Sequence, residues 1–204
     1  QVFEIEKLYL YHKKINSRNR FMKKILFLLS ALCLSIFAKA QTYGNPQNEL
    51  KLNIANTIAI ASVEIGYERF LDKNQSLEAI ILFNDRINYH SESGSREFNT
   101  NSFKLGYNYY FGEDMPGSGL YVNPFIKIRT GDFKQEVTIK NATVIEETDM
   151  DSFIVGIGGG YKWNFNNKFV IGPFINIGRN FSEEVKDRFS AIEFNTGLSV
   201  GYRF

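Results

Sequence analysis

Ser190-Ala191-Ile192-Glu193-Phe194-Asn195-Thr196-Gly197-Leu198-Ser199-Val200-Gly201-Tyr202-Arg203-Phe204 is the stretch whose reading decides the fold. Taken in steps of two from its end, Phe204, Tyr202, Val200, Leu198, Thr196, Phe194 and Ile192 form one series. Arg203, Gly201, Ser199, Gly197, Asn195, Glu193 and Ala191 form the other. Successive side chains of a strand point to opposite faces, so a period of two means β-structure. One face is oily and aromatic, whereas the other sets Glu193 and Arg203 among small residues. That second face reads as the interior of a barrel whose outside is apolar.

The same alternation recurs upstream. Leu50, Leu52 and Ile54 alternate with Lys51, Asn53 and Ala55, and after a tight connection near Thr57–Ser62, Val63, Ile65 and Tyr67 alternate with Glu64, Gly66 and Glu68. Asp72 to Gln75 is a turn. The next strand sets Leu77, Ala79, Ile81 and Phe83 against Glu78, Ile80, Leu82, Asn84 and Arg86. Phe103 to Phe111, Val122 to Arg129, Phe153 to Phe165 and Phe169 to Ile177 continue the pattern, with Asn166-Asn167 as a two-residue turn. With the terminal strand this makes eight strands, the smallest even number for a bacterial membrane barrel. Connections at 72–75, 112–119 and 166–167 are short. Those at 89–100, 133–150 and 181–189 are read as longer polar loops. Short and long alternate, with the first outer connection near Thr57 as the short exception, as they do when turns face one side of a membrane and loops the other.

Composition agrees with this reading. Among 204 residues there are 19 Phe and 11 Tyr, residues that favour strands, and only 4 Pro. The net charge of +2 conceals an asymmetry. Residues 1–40 hold eight Lys/Arg and two Asp/Glu, which leaves sixteen basic and twenty acidic residues after them, a net of −4. An acidic remainder gives no basic patch and excludes nucleic acid as a partner. Mean hydropathy is −0.23, and nothing after residue 41 reaches the ~18 apolar residues of a spanning helix. The one cysteine, Cys33, lies in the N-terminal apolar run, so neither a disulfide framework nor a cysteine zinc site is expected.

Met22-Lys23-Lys24, the apolar run Ile25 to Phe37 and Ala38-Lys39-Ala40 have the form of a secretory signal peptide over residues 22–40, cut between Ala40 and Gln41. Residues 1–21 precede that start, do not begin with Met, and are read as a disordered over-extension of the reading frame. Residues 41–48 form a short lead-in and 49–204 the barrel domain.

Gly66-Tyr67…Phe70, Gly106-Tyr107…Phe111, Gly160-Tyr161…Phe165 and Gly201-Tyr202…Phe204 all fall at the ends of even-numbered strands. They predict an aromatic girdle of Tyr67, Tyr107, Phe111, Tyr161, Trp163, Phe165, Tyr202 and Phe204 at the periplasmic rim, where rings lie in lipid and polar tips stay wet. Each glycine would face the lumen. Asn123-Pro124-Phe125-Ile126 and Gly172-Pro173-Phe174-Ile175 place proline within strands. Because proline removes a ladder hydrogen bond, a bulge or a rim position is expected there.

A terminal strand ending in Phe, with Tyr two residues earlier, resembles the C-terminal signature of bacterial outer-membrane barrels. With Lys51-Leu52-Asn53, Gly66-Tyr67-Glu68, Gly119-Leu120-Tyr121-Val122 before Pro124-Phe125, and Gly156-Ile157-Gly158-Gly159-Gly160-Tyr161, the chain over residues 49 to 204 resembles the small Gram-negative outer-membrane class that includes the OmpA transmembrane domain and OmpX. Within that class it is most similar to the family built around DUF3575. The resemblance implies an all-β, eight-stranded antiparallel up-and-down transmembrane barrel and supplies no catalytic residues. It also implies outer-membrane lipid and lipopolysaccharide as surroundings, barrel-assembly machinery engaging the C-terminal strand, and a monomer.

The charges on the polar faces are Lys51, Glu64, Glu68, Glu78, Arg86, Lys104, Lys127, Arg129, Lys162, Glu193 and Arg203. A barrel of this size is filled by side chains, and an unpaired buried charge costs several kcal/mol. A structural ion-pair network is therefore expected ahead of a pore, with no catalytic, metal or cofactor site. His90 beside Ser91, Glu92 and Ser93 raises a lipid-modifying enzyme as an alternative, but adjacency in a loop does not make a triad. The acidic run Glu146, Glu147, Asp149 and Asp151 lacks EF-hand spacing and reads as a solvated loop. A soluble lipocalin-like barrel is the third reading, and it requires the oily faces to point inward.

Overall fold

The computed structural model describes residues 47–90, 96–112, 115–139 and 142–204, without the side chains of 139 and 142. Residues 1–21, the signal segment with Ala40 and Gln41, and Ser91, Glu92 and Ser93 lie outside the described residues.

Nine strands are described: β1 (Asn48–Asn53), β2 (Val63–Phe70), β3 (Gln75–Phe83), β4 (Arg96–Tyr110), β5 (Gly119–Ile139), β6 (Ala142–Asp149), β7 (Ser152–Phe165), β8 (Phe169–Asn180) and β9 (Ile192–Arg203). Eight of them, all but β6, form a closed antiparallel barrel. β1 pairs with β2 on one side and with β9 on the other, and β4–β5 and β5–β7 complete the wall. The closing seam is fastened at its base by reciprocal backbone bonds between Asn48 and Phe204, at 3.1 and 2.9 Å.

β5 is twice the length that the barrel needs. Its first half, Gly119–Arg129, pairs with β7; its second, Asp132–Ile139, pairs with β6. The stretch 133–150, expected as a loop, is thus mostly a hairpin that prolongs the wall beyond the barrel. β4 runs alongside from Arg96, so part of the expected 89–100 loop is strand as well. Two short helices replace other expected irregular segments. Helix α1 (Ile54–Ile60) stands where a continued strand and tight turn were expected, with the Asn53 side chain capping the Asn56 amide at 3.2 Å. Helix α2 (Glu183–Arg188) has Glu183 and Glu184 in its first turn and Lys186 and Arg188 in its last, a distribution that suits its dipole. No helix among the described residues is long and apolar enough to cross a membrane.

The two prolines make no bulge. The β4–β5 register is the same on both sides of Pro124, with Gly106↔Phe125 before the interruption and Tyr109↔Val122 after it. The Tyr107 carbonyl, left without a donor by the proline, receives Asn123 Nδ2 at 3.4 Å. β7–β8 is interrupted in the same way opposite Pro173.

Candidate functional site

The oily series of every barrel strand faces outward. Tyr202 and Phe204 are 45% and 53% exposed, against 6% for Glu193 and 3% for Arg203. Phe83, Phe103, Ile126, Ile157, Ile175 and Phe194 continue the exposed apolar surface around the wall. The lumen contains ionic and amide side chains together with Ile80, Leu82, Phe125, Ile154 and Val170. These faces are the reverse of those a soluble lipocalin-like barrel requires.

Two ion clusters fill the lumen. In the lower one, Lys51 bonds Glu68 at 2.7 Å and also Glu78, whose other oxygen meets Lys104 at 3.1 Å. Lys162 spans Glu68 at 2.7 Å and Glu49 at 2.9 Å, and Arg203 Nε holds Glu49 at 2.8 Å. Tyr110 and Ser76 hydroxyls both donate to Glu68 Oε1 at 2.5 Å. In the upper cluster Arg129 forks onto Glu193 at 2.8 and 2.6 Å while its Nε bonds Asp85 at 3.0 Å. Lys127 bridges the same two carboxylates at 2.9 and 3.2 Å. Planar bidentate pairing of this kind is why arginine suits a buried carboxylate. Glu64 lies between the clusters, where its Oε2 accepts from Asn53 Nδ2 at 2.9 Å and Asn195 Nδ2 at 3.3 Å.

Glu64, Glu68, Glu78, Lys104, Lys127, Arg129, Lys162, Glu193 and Arg203 thus all lie in the lumen, and Lys51 with them. Arg86 is half-buried at the upper end, where it lines a small cavity. Asp85 beside it is buried in the ion network. Asn84 causes the change: its φ of 56° ends the extended backbone after β3 and breaks the alternation that pointed to Arg86. Burial alone would raise the Asp85 carboxyl, but Arg129 and Lys127 hold it well below the usual carboxylate range. Glu49, the first residue of the terminal ion pair, was also missed. Its alternation with Lys51 on β1 was the available signal.

The lumen leaves little open space. Two cavities of about 30 and 20 Å³ share Lys104 and Asn176, room for about one or two waters each. At the end of the barrel that carries the Asn48–Phe204 seam, the β4–β5 turn folds across the mouth. Arg203 Nη1 and Nη2 donate to the Pro116 and Gly117 carbonyls at 2.7 and 2.6 Å, and Arg203 stacks on Phe70 at 4.6 Å. Gly117, at φ 59°, lies against that ring so closely that a Cβ would overlap it.

The girdle residues occupy the outer face at this end. Tyr161 packs tilted against Trp163 at 4.9 Å, Phe169 meets Tyr202 edge-on at 5.4 Å, and Tyr109 meets Phe111 at 5.2 Å. Tyr67 and Tyr107 hydroxyls donate to Asn48 Oδ1 at 2.7 Å and Gln75 Oε1 at 2.6 Å. Phe165 and Phe204 are exposed on the same face.

Above the opposite end lies a small apolar core of Ile87, Phe98, Phe133, Met150 and Val185, with Phe189 packed on it. It ties the base of the β5–β6 hairpin to α2. His90 belongs to this cap: its Nδ1 lies 2.7 Å from the Ile87 carbonyl and its ring meets Phe189 edge-on at 5.3 Å. The two contacts fix the ring within the cap, and its expected partners Ser91, Glu92 and Ser93 lie outside the described residues. Glu146 pairs with Arg188 at 2.7 Å, Asp149 and Asp151 accept from backbone amides, and Glu147 is exposed 4.0 Å from Lys134. Among the described residues no group of three His, Cys, Asp or Glu could hold a metal ion.

A family model described as "Protein of unknown function (DUF3575)" matches residues 25–203. The chain belongs to the DUF3575 family. Among solved structures, the N-terminal β-barrel domain of Pseudomonas aeruginosa OprF is similar over 79% of this chain and 100% of its own, at 16% identity and a TM-score of 0.46. Ail, the attachment invasion locus protein of Yersinia pestis, is similar over 78% and 94%, at 11% identity and 0.40. Neisserial surface protein A is similar over 77% and 92%, at 13% identity and 0.36. No curated protein matches this DUF3575 member.

Proposed function

We propose that this DUF3575 protein is an integral barrel of the bacterial outer membrane, without enzymatic activity, that presents its outer cap to the surroundings of the cell. The observation that carries this reading is the inversion of its faces, with an apolar belt outside and paired charges within. Only a lipid environment rewards that arrangement, since in water the exposed isoleucines and phenylalanines would carry the cost of hydrating a large apolar surface. The closed lumen supports a scaffold role in envelope integrity or surface adhesion ahead of transport. The β5–β6 hairpin, braced by α2 and the aromatic cap core, is the contact surface. Its surroundings are outer-membrane lipid and lipopolysaccharide, and the C-terminal strand engages the barrel-assembly machinery during insertion. The barrel acts as a monomer.

Fractionation of the native cell envelope tests the proposal. Recovery with outer-membrane markers, resistant to high salt and carbonate washing, is expected. Recovery in the soluble periplasmic fraction would overturn it.

A further inference from the structure

The barrel wall has one incomplete joint. β1 pairs with β9 through only five residues, Glu49↔Arg203 to Asn53↔Ser199, and then turns into α1. β9 continues outward for seven more residues with no strand among the described residues on that side. Each ladder between two neighbours other than β1 has eight pairs or more.

Side chains supply the bonds that the missing strand would have made. Asn88 Nδ2 donates to the Ile192 carbonyl at 3.1 Å, and its Oδ1 accepts from the Phe194 amide at 2.7 Å. The Tyr89 hydroxyl donates to the Thr196 carbonyl at 3.0 Å and accepts from the Thr196 amide. Asn88 and Tyr89 hold left-handed backbones, at φ 47° and 59°, a conformation costly for a residue as bulky as tyrosine.

The helix beside this joint is a poor one. It has seven residues, too few to be stable alone, and four of them, Ile54, Thr57, Ile58 and Ile60, are β-branched and prefer strands. No charge complements its dipole, and Ile58 is 84% exposed. As a strand the same segment continues both registers, at the cost of the bond from Asn56 Nδ2 to Asn195 Oδ1. Continuing the β1–β9 register sets Ile54 opposite Leu198 and Asn56 opposite Thr196. Continuing the β1–β2 register sets Ile54 opposite Val63 and Thr57 opposite Ile60, with Ile58-Ala59 as the turn. A two-residue hairpin turn needs left-handed backbone, hence Asn-Gly. Ile58-Ala59 disfavours it, and this together with the Tyr89 clasp on Thr196 biases the segment towards the helix.

We infer that the outer part of the β1–β9 joint has two interchangeable closures: α1 with the Asn88–Tyr89 clasp, and a β1 prolonged through Thr57 that takes over the β9 edge. In the first, α1 and the clasp cover the β9 edge, with Asn56 Nδ2 donating to Asn195 Oδ1 at 2.8 Å and the Tyr89 hydroxyl 3.4 Å from the same oxygen. In the second, a backbone ladder covers it. The segment is a lateral gate to the lumen.

The test is NMR of the mature barrel in lipid nanodiscs, reading Cα shifts of residues 54–57 and exchange of the Thr196 amide. Tyr89→Phe removes one clasp. The expected result is a change of those shifts from helical to extended, with the Thr196 amide still protected by Asn56. Helical shifts that persist while Thr196 exchange accelerates by about tenfold or more would overturn the inference, because the clasp would then be a fixed brace. Ile58→Asn with Ala59→Gly supplies the turn directly and leaves the clasp intact, so it decides the matter if Tyr89→Phe does not fold. Extended shifts are expected, and a retained helix refutes the gate.

Discussion

Arg129→Met tests the ion network at its most buried member. Arg129 is 1% exposed and makes three charge-assisted hydrogen bonds to Glu193 and Asp85. The methionine keeps much of the apolar stem and removes the guanidinium. Lys127 is then left as the upper-cluster cation against two carboxylates. Three lost charged bonds at about 1.5–3 kcal/mol each set an upper bound. Rearrangement and water uptake return part of that, so a loss of about 3–5 kcal/mol is expected, as for other buried pairs with one partner removed. Urea unfolding in phospholipid vesicles measures it, followed through Trp163, the chain's one tryptophan. Adding Glu193→Gln restores a one-to-one balance between Lys127 and Asp85 and should recover about 2 kcal/mol, since contacting sites couple by up to about 3 kcal/mol. A loss below about 1 kcal/mol in the single variant, the size of an exposed pair, would refute the account of the lumen as a paired core. So would a double variant no more stable than the single.

The outward face makes an independent prediction. Ile157→Arg, on the exposed side of β7 and opposite Pro124 and Ile177, should cost about 2–4 kcal/mol in vesicles if it lies at mid-membrane; a change within surface-mutation noise would contradict the inverted faces. In planar bilayers the intact barrel is expected to be silent, whereas Arg203→Ala, which frees the turn bound at Pro116 and Gly117, should show intermittent conductance. Equal silence in both would mean that the ion clusters block the lumen without the turn. Asp85 ionises well below its ordinary range when folded, so its contribution is complete above the unfolded value of about 4 and is lost as pH falls through the folded one. The decline of the urea midpoint from neutral towards acid pH should therefore be shallower in Asp85→Asn than in the parent, and parallel declines would remove Asp85 from the network.

The sequence by itself determined which face of each barrel strand is oily, because alternation is a property of the extended backbone and needs no knowledge of neighbours. It also separated short from long connections, and it placed the lumen charges wherever the strand ran without interruption, as from Glu64 to Glu68 or Lys127 to Arg129. Where one residue left the extended region the reading slipped by one, and at Asn84 that slip passed over Asp85. The β5–β6 hairpin was hidden for a different reason. It stands beyond the apolar belt with much of its surface exposed, so Lys134, Glu136, Glu146 and Glu147 erase the alternation that reveals a half-buried strand. Only the tertiary structure decided which charge meets which, since pairs such as Lys162–Glu49 and Arg129–Glu193 join residues more than sixty positions apart and depend on register around a closed ring. It also decided that Ile54–Ile60, a strand by its composition, is a helix, because what sets that segment is the unfavourable turn at Ile58-Ala59 and the β9 edge already taken by Asn88 and Tyr89.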